Sequence, residues 1–328
     1  MHPEDNSVIV TLVFVFISAR EAQGFVLEKG SFRMDKKGIA TYLVITIALS
    51  FAVQWVVLSL PKLSLLHLLL FAIPAIAAWA AGRISPGSET ISGILWPVPI
   101  VRALRISCAI YLFFAVVFLA GVIAGFTKPD WSIGELLARL PAYNDIRVPE
   151  HVKPVLPLAF LLLSFIIMFV IAPTVYAVLL LGVAYGWCGY LLPRLMPLGR
   201  WTAYGLAGLA AGISTLPLSL RGGAGAAHAF QWLAYAVAVS AMVGEVWRRS
   251  ENLGLTAVCA GCVYCHATQL WNALFPANAT VFPWGGTTGI LFTLAWAIVA
   301  LAPDEVFGPL ESSRTSPAVP INEADAAG

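Results

Sequence analysis

Charge is what this sequence has least of. Of its 328 residues, 11% are charged and 59% hydrophobic, whereas a soluble domain carries about 25% charged residues. Such a chain cannot hide its apolar surface in one water-solvated core, so the class expected is a polytopic membrane protein. There is no basic tract either: the 19 Lys and Arg are scattered through short loops, and no nucleic-acid partner is expected. The five cysteines form no secreted disulfide framework, because Cys188, Cys259, Cys262 and Cys265 lie inside apolar runs and Cys108 opens another. Acidic residues are missing from the centre of every apolar run. Glu245 stands at the end of one, beside Trp247 and Arg248, where a solvated interfacial pair is expected.

What the chain does have is apolar length. A helix needs about 20 apolar residues to cross about 30 Å of hydrocarbon. Eight stretches read as spans: 39–60, 64–82, 106–126, 155–192, 201–219, 226–247, 253–275 and 286–303. The fourth is too long for one straight crossing, and Pro173 is expected to kink it by removing a backbone donor and crowding the preceding turn. The fold expected is all-α, a polytopic membrane bundle of about eight transmembrane helices over residues 35–303. Residues 1–34 read as an N-terminal extension, either an over-extended start ahead of Met34 or a disordered leader. Their 13-residue apolar run, Ser7–Ala19, is too short to span and lacks the cationic lead of a signal peptide. Residues 304–328, polar and rich in Pro, Ser and Glu, read as a disordered cytoplasmic tail.

Cation asymmetry sets the expected orientation. Lys29, Arg33, Lys36, Lys37, Arg83, Arg102, Arg105, Arg194, Arg200, Arg248, Arg249 and Arg314 fall on one side. Lys62, Lys128, Arg139, Arg147, Lys153 and Arg221 fall on the other. Twelve against six places both termini in the cytoplasm of a multi-pass plasma-membrane protein. Trp131, Trp201, Trp247 and Trp284 lie near span ends, as interfacial anchors.

One stretch carries a motif. Gly182–Leu195 reads GVAYGWCGYLLPRL, and it resembles the E-E-x-G-W-R-G-Y-L-L-P-R signature of the CAAX-protease and bacteriocin-processing (CPBP, or Abi) family of intramembrane metalloproteases. Gly186, Trp187, Gly189, Tyr190, Leu191, Leu192, Pro193 and Arg194 match, while Val183 and Ala184 stand at the Glu pair and Cys188 at the Arg. Residues 71–84, FAIPAIAAWAAGRI, are similar to the family's second span. Ser214-Thr215-Leu216-Pro217-Leu218 parallels its W-H-x-P-L, with Thr215 at the His position. His266-Ala267-Thr268-Gln269-Leu270 parallels its H-A-x-x-N, with Leu270 at the Asn position.

The resemblance implies a CPBP-like bundle that has kept the scaffold and lost the chemistry. Intramembrane metalloproteolysis needs several metal ligands, a water of lowered pKa and a general base. Of the six polar positions the family uses, His266 alone is retained, and one His cannot hold a catalytic metal. The function this implies is that of a pseudoprotease which binds a membrane-protein partner or a lipidated peptide. The old site would then be an apolar groove between the fourth, fifth and seventh spans, with His266 bonded to Thr215 or a backbone carbonyl. An active CAAX-type endopeptidase with a non-standard site is the further alternative within the family.

A second constellation competes. Cys259, Cys262 and His266 stand at i, i+3 and i+7, within about 60° of one helix face. Under the family's packing, Cys188 would approach that face. Three thiols and an imidazole suit a soft metal such as zinc, copper or iron. Small apolar cysteines at close helix contacts are the other reading of the same residues. Cys262-Val-Tyr-Cys265-His266 also matches the c-type haem pattern, but inside an apolar helix that attachment machinery would not reach.

Overall fold

In lipid every backbone N–H and C=O must find a partner within the chain, and helices do this locally. The computed structural model describes residues 35–60, 66–85, 95, 97–127, 156–220, 225–268, 271, 275 and 289–301. Every regular element among them is helical. In order they are α1 (Lys36–Ser59), α2 (Leu69–Ile84), α3 (Ile100–Ile123) and α4 (Leu156–Ile171). α4 is prolonged by a wide turn, Ala172–Tyr176, and by Ala177–Leu179. Next comes α5, which begins at Leu181–Val183 and runs through a second wide stretch, Ala184–Leu191, to Leu192–Leu195. α6 (Arg200–Ser219), α7 (Ala226–Ser250), α8 (Leu253–Thr268) and α9 (Ile290–Leu301) complete the series. The extension 1–34 and the tail 304–328 lie outside the described residues.

Length and composition qualify four helices to cross a membrane: Lys36–Ser59, Leu66–Ile84, Ile100–Ile123 and Ala226–Ser250. A fifth is formed by Met168–Leu179 together with Leu181–Leu198, bent by 49°. Over the described residues this count is smaller than the eight read from the sequence. Leu253–Thr268 and Ile290–Leu301 are apolar but only 16 and 12 residues long among the described residues. α6 is 20 residues long, but Gly205, Gly208, Gly212, Ser214 and Thr215 dilute it. The bend also moves. Pro173 lies within the wide turn of α4, and the axis breaks farther on at Leu180, whose backbone (φ −82°, ψ 1°) leaves the helical region.

Contacts between helix ends gather the polar groups at one end of the bundle. Asp35 caps α1 by accepting from Gly38 N (2.9 Å) and also accepts from Ser85 Oγ, just past α2 (3.2 Å). Asn252 caps α8 by accepting from Leu255 N (2.8 Å) and donates to Pro97 O, just before α3 (3.0 Å). Arg200, at the start of α6, pairs with Glu245 near the end of α7. Arg194 and Arg200 follow each other across the short α5–α6 turn. All the charged residues among those described therefore lie toward this end: Lys36, Lys37, Arg83, Arg102, Arg105, Arg194, Arg200, Arg248 and Arg249, against Asp35, Glu245 and Glu251. Of the four expected tryptophan anchors, Trp201 is 47% exposed, whereas Trp247 is buried; Trp131 and Trp284 lie outside the described residues.

Small residues set the helix contacts. A Cβ on Gly182 would collide with Phe71 O, and one on Gly186 with the backbone and ring of Pro74, so α5 packs on α2 backbone to backbone. Gly208 brings α6 equally close to α7, where an added Cβ would lie 2.5 Å from Val237 Cα. Gly205, on the same helix, faces open space.

Candidate functional site

The motif stretch is built as a packing device. Its wide helical stretch is visible in Leu192 N, which donates to Trp187 O five residues back. Pro193 has no N–H to return to Gly189 O, so the regular ladder cannot resume there. Trp187 and Tyr190 both rest on Tyr42 of α1, edge-on at 5.5 Å and stacked at 5.2 Å between ring centroids. Arg194 folds back over the Tyr190 ring at 3.8 Å and donates from Nη1 to Tyr190 O at 2.7 Å. It is buried. The guanidinium thus supplies a donor to a carbonyl at the end of the wide stretch, a structural use that needs no catalytic neighbour.

The positions the resemblance assigns to chemistry are dispersed. Ala184 and Cys188 are buried in the apolar core, and Val183 packs half-buried against it. Thr215 Oγ1 donates to Ala211 O (3.0 Å) and accepts from Trp232 Nε1 of α7 (3.3 Å). His266 faces α3, with its ring centroid 5.5 Å from that of Tyr111 and 5.7 Å from that of Phe114. The expected bond between His266 and Thr215 or a carbonyl is absent: His266 Nδ1 is buried without a hydrogen-bond partner. The two side chains instead belong to different contacts, Thr215 to the α6–α7 seam and His266 to the α3–α8 seam. Leu270 lies outside the described residues.

The thiols of α8 fan out rather than converge. Cys259 Sγ meets Met242 Sδ of α7 at 3.6 Å. Cys262 Sγ meets Ser107 Oγ of α3 at 3.4 Å, and Cys265 Sγ meets Met168 Sδ of α4 at 3.3 Å. All four core thiols are free and buried. Among the described residues no three His, Cys, Asp or Glu side chains come together. The set Cys188, Cys259, Cys262 and His266 is therefore not assembled in this arrangement, because residues at i, i+3 and i+7 of a buried helix point toward different neighbours.

What surrounds His266 is an aromatic nest. Tyr111 and Phe114 each contact both His266 and Trp271, and Phe114 also contacts Trp296 and Phe292. Phe118 stacks between Trp271 and Phe275, at 5.5 and 4.4 Å. Three nitrogens in this nest, His266 Nδ1, Trp271 Nε1 and Trp296 Nε1, are buried with no hydrogen-bond partner. Nearly all buried polar atoms in native proteins are paired, so three orphans within one ring cluster form a local anomaly. Chemically the nest offers flat apolar faces and indole N–H donors, with no ionised group among these rings.

Two polar features escaped the sequence reading. Gln54, fully buried on α1, repairs α6 where Pro217 interrupts it. Its Nε2 donates to Ser214 O, and its Oε1 accepts from Leu218 N at 3.0 Å, bridging a broken i to i−4 pair. A lone Gln opposite a proline in another span was the available signal. Glu245 is buried rather than solvated. Its carboxylate accepts from Arg200 Nε, from Arg248 Nη2 (3.0 Å), from Arg249 Nε (3.2 Å) and from Tyr204 Oη (2.6 Å). The R-R pair at i+3 and i+4 from Glu245 foreshadowed part of this network; Arg200 and Tyr204 arrive only through α6–α7 packing.

No family model, curated protein or solved structure matches this chain.

Proposed function

We propose that this chain is a non-catalytic membrane helix bundle of the CPBP kind, a pseudoprotease that holds a lipidated peptide or membrane-embedded partner. On this reading the bundle is embedded in a plasma membrane with both termini facing the cytoplasm. The observation that carries the reading is the nest around His266: three unpartnered nitrogens set among aromatic rings, at the position where the resemblance puts a ligand of the old site. Such a nest suits an isoprenoid or acyl chain, with a backbone carbonyl of the lipidated peptide to accept an indole N–H. Val183 and Ala184, standing where the family has its acids, supply no general base.

The test uses the full chain in nanodiscs, with a farnesylated peptide and the same peptide without its lipid. Tryptophan fluorescence should respond to the farnesylated form alone, with both peptides recovered uncleaved. Equal responses to both peptides would overturn the binding reading. Cleavage that disappears in His266→Ala would restore the protease.

A second reading is favoured by the buried sulfurs. Cys259 already meets the Met242 thioether, and Cys188, Cys259, Cys262 and His266 are the donor types that suit a soft ion such as zinc. Stoichiometric metal in the purified protein would select it.

A further inference from the structure

We infer that the Arg200–Glu245–Arg248 corner is a seat for the phosphate of an anionic phospholipid headgroup. Glu245 organises the corner, drawing Arg200, Arg248 and Arg249 around one buried carboxylate. The three guanidiniums are not equivalent. The Arg249 side chain is 8% exposed and serves the interior, whereas those of Arg200 and Arg248 are 36% and 34% exposed. Arg200 gives only Nε to Glu245, so among the described residues its two Nη groups have no protein acceptor. That leaves a planar fork of N–H donors on a partly exposed side chain, and such a fork can grip phosphate in bidentate fashion.

Independent features of the same corner point to an anion. α6 begins at Arg200 behind Gly199, with no side-chain cap and no acidic residue in its first turn, so its first backbone N–H groups carry the positive end of a 20-residue helix. Counting Glu251 as well as Glu245, Arg200, Arg248 and Arg249 leave the corner net positive. The whole end of the bundle is cationic, with nine Lys and Arg against three acids among the described residues. The lipid source follows from what flanks the fork. Trp201 (47% exposed) and Leu198 (40% exposed) stand on either side of Arg200, and the guanidinium lies 4.8 Å over the Trp201 ring. An interfacial Trp beside a cationic fork matches a headgroup with its glycerol and acyl chain attached. A free phosphate would leave those apolar faces uncovered.

The experiment titrates the detergent-solubilised full chain with phosphatidylglycerol or with phosphatidylcholine of the same acyl chains, and counts retained lipids by native mass spectrometry. Wild type should retain phosphatidylglycerol about fivefold better, the scale of one cation's interaction with an anionic headgroup layer. R200Q should bring the ratio near unity while remaining folded, since Arg248, Arg249 and Tyr204 still hold Glu245. R200K, which keeps the charge and loses the fork, should fall between the two; it decides the matter if R200Q does not fold. A wild-type ratio near unity, or an R200K ratio equal to wild type, overturns the seat. Displacement of phosphatidylglycerol by equimolar glycerol phosphate would show that the corner takes soluble phosphates, and would overturn its assignment to lipid.

Discussion

Glu245 and His266 are both buried polar side chains on neighbouring helices, and the fold treats them in opposite ways. Glu245 is surrounded by four donors, from Arg200, Tyr204, Arg248 and Arg249. His266 is surrounded by rings, and its Nδ1 meets none of the acceptors or donors that would satisfy it. The first arrangement is what a stabilising network looks like, because a buried charge persists only when paired and hydrogen-bonded. The second stabilises nothing on its own. The charged end thus holds the bundle together, while the aromatic nest is where function is sought.

The comparison is broken most forcefully at the charged end. Glu245→Ala leaves three guanidiniums facing one another across the α6–α7 seam, and a buried pair broken on one side costs about 3–5 kcal/mol. The unfolding midpoint of E245A in detergent should fall accordingly. A loss below about 1 kcal/mol is the figure for a solvated surface pair, and it would mean that the network is ornamental. A smaller effect is expected at Gln54→Leu, which orphans Leu218 N and Ser214 O beside Pro217. Each unsatisfied backbone group costs about 1–3 kcal/mol, and hydrogen exchange at Leu218 should accelerate in Q54L. Unchanged exchange there would show that α6 repairs itself without the glutamine.

Much of the architecture could be read before any coordinates. The apolar runs overlap each of the described helices, and Gly182 and Gly186 admit Phe71 and Pro74 so closely because neither carries a side chain. What could not be read depends on three dimensions. The face that a buried helix turns to each neighbour is not encoded in spacing alone, so Cys259, Cys262 and His266 share an arc of α8 yet meet Met242, Ser107 and Tyr111 on two different helices. The bend was displaced from Pro173 to Leu180 because the wide turn absorbs the proline's missing donor locally. Glu245 read as a solvated end-of-span acid because its partners Arg200 and Tyr204 are about forty residues away in sequence. The aromatic nest was invisible for the same reason, being assembled from α3, α8, α9 and the residues after α8.

The most direct measurement is the stability of His266→Phe in the absence of any added ligand or metal. If His266 is an unligated imidazole in a dry aromatic nest, phenylalanine keeps a flat ring, one atom larger, and removes an orphaned polar atom. H266F should then be as stable as wild type or more stable by about 1 kcal/mol, with unchanged metal content. If His266 instead ligates a metal or completes a hidden hydrogen-bond network, H266F will lose about 2 kcal/mol or more and any bound metal with it, and that result would contradict the account.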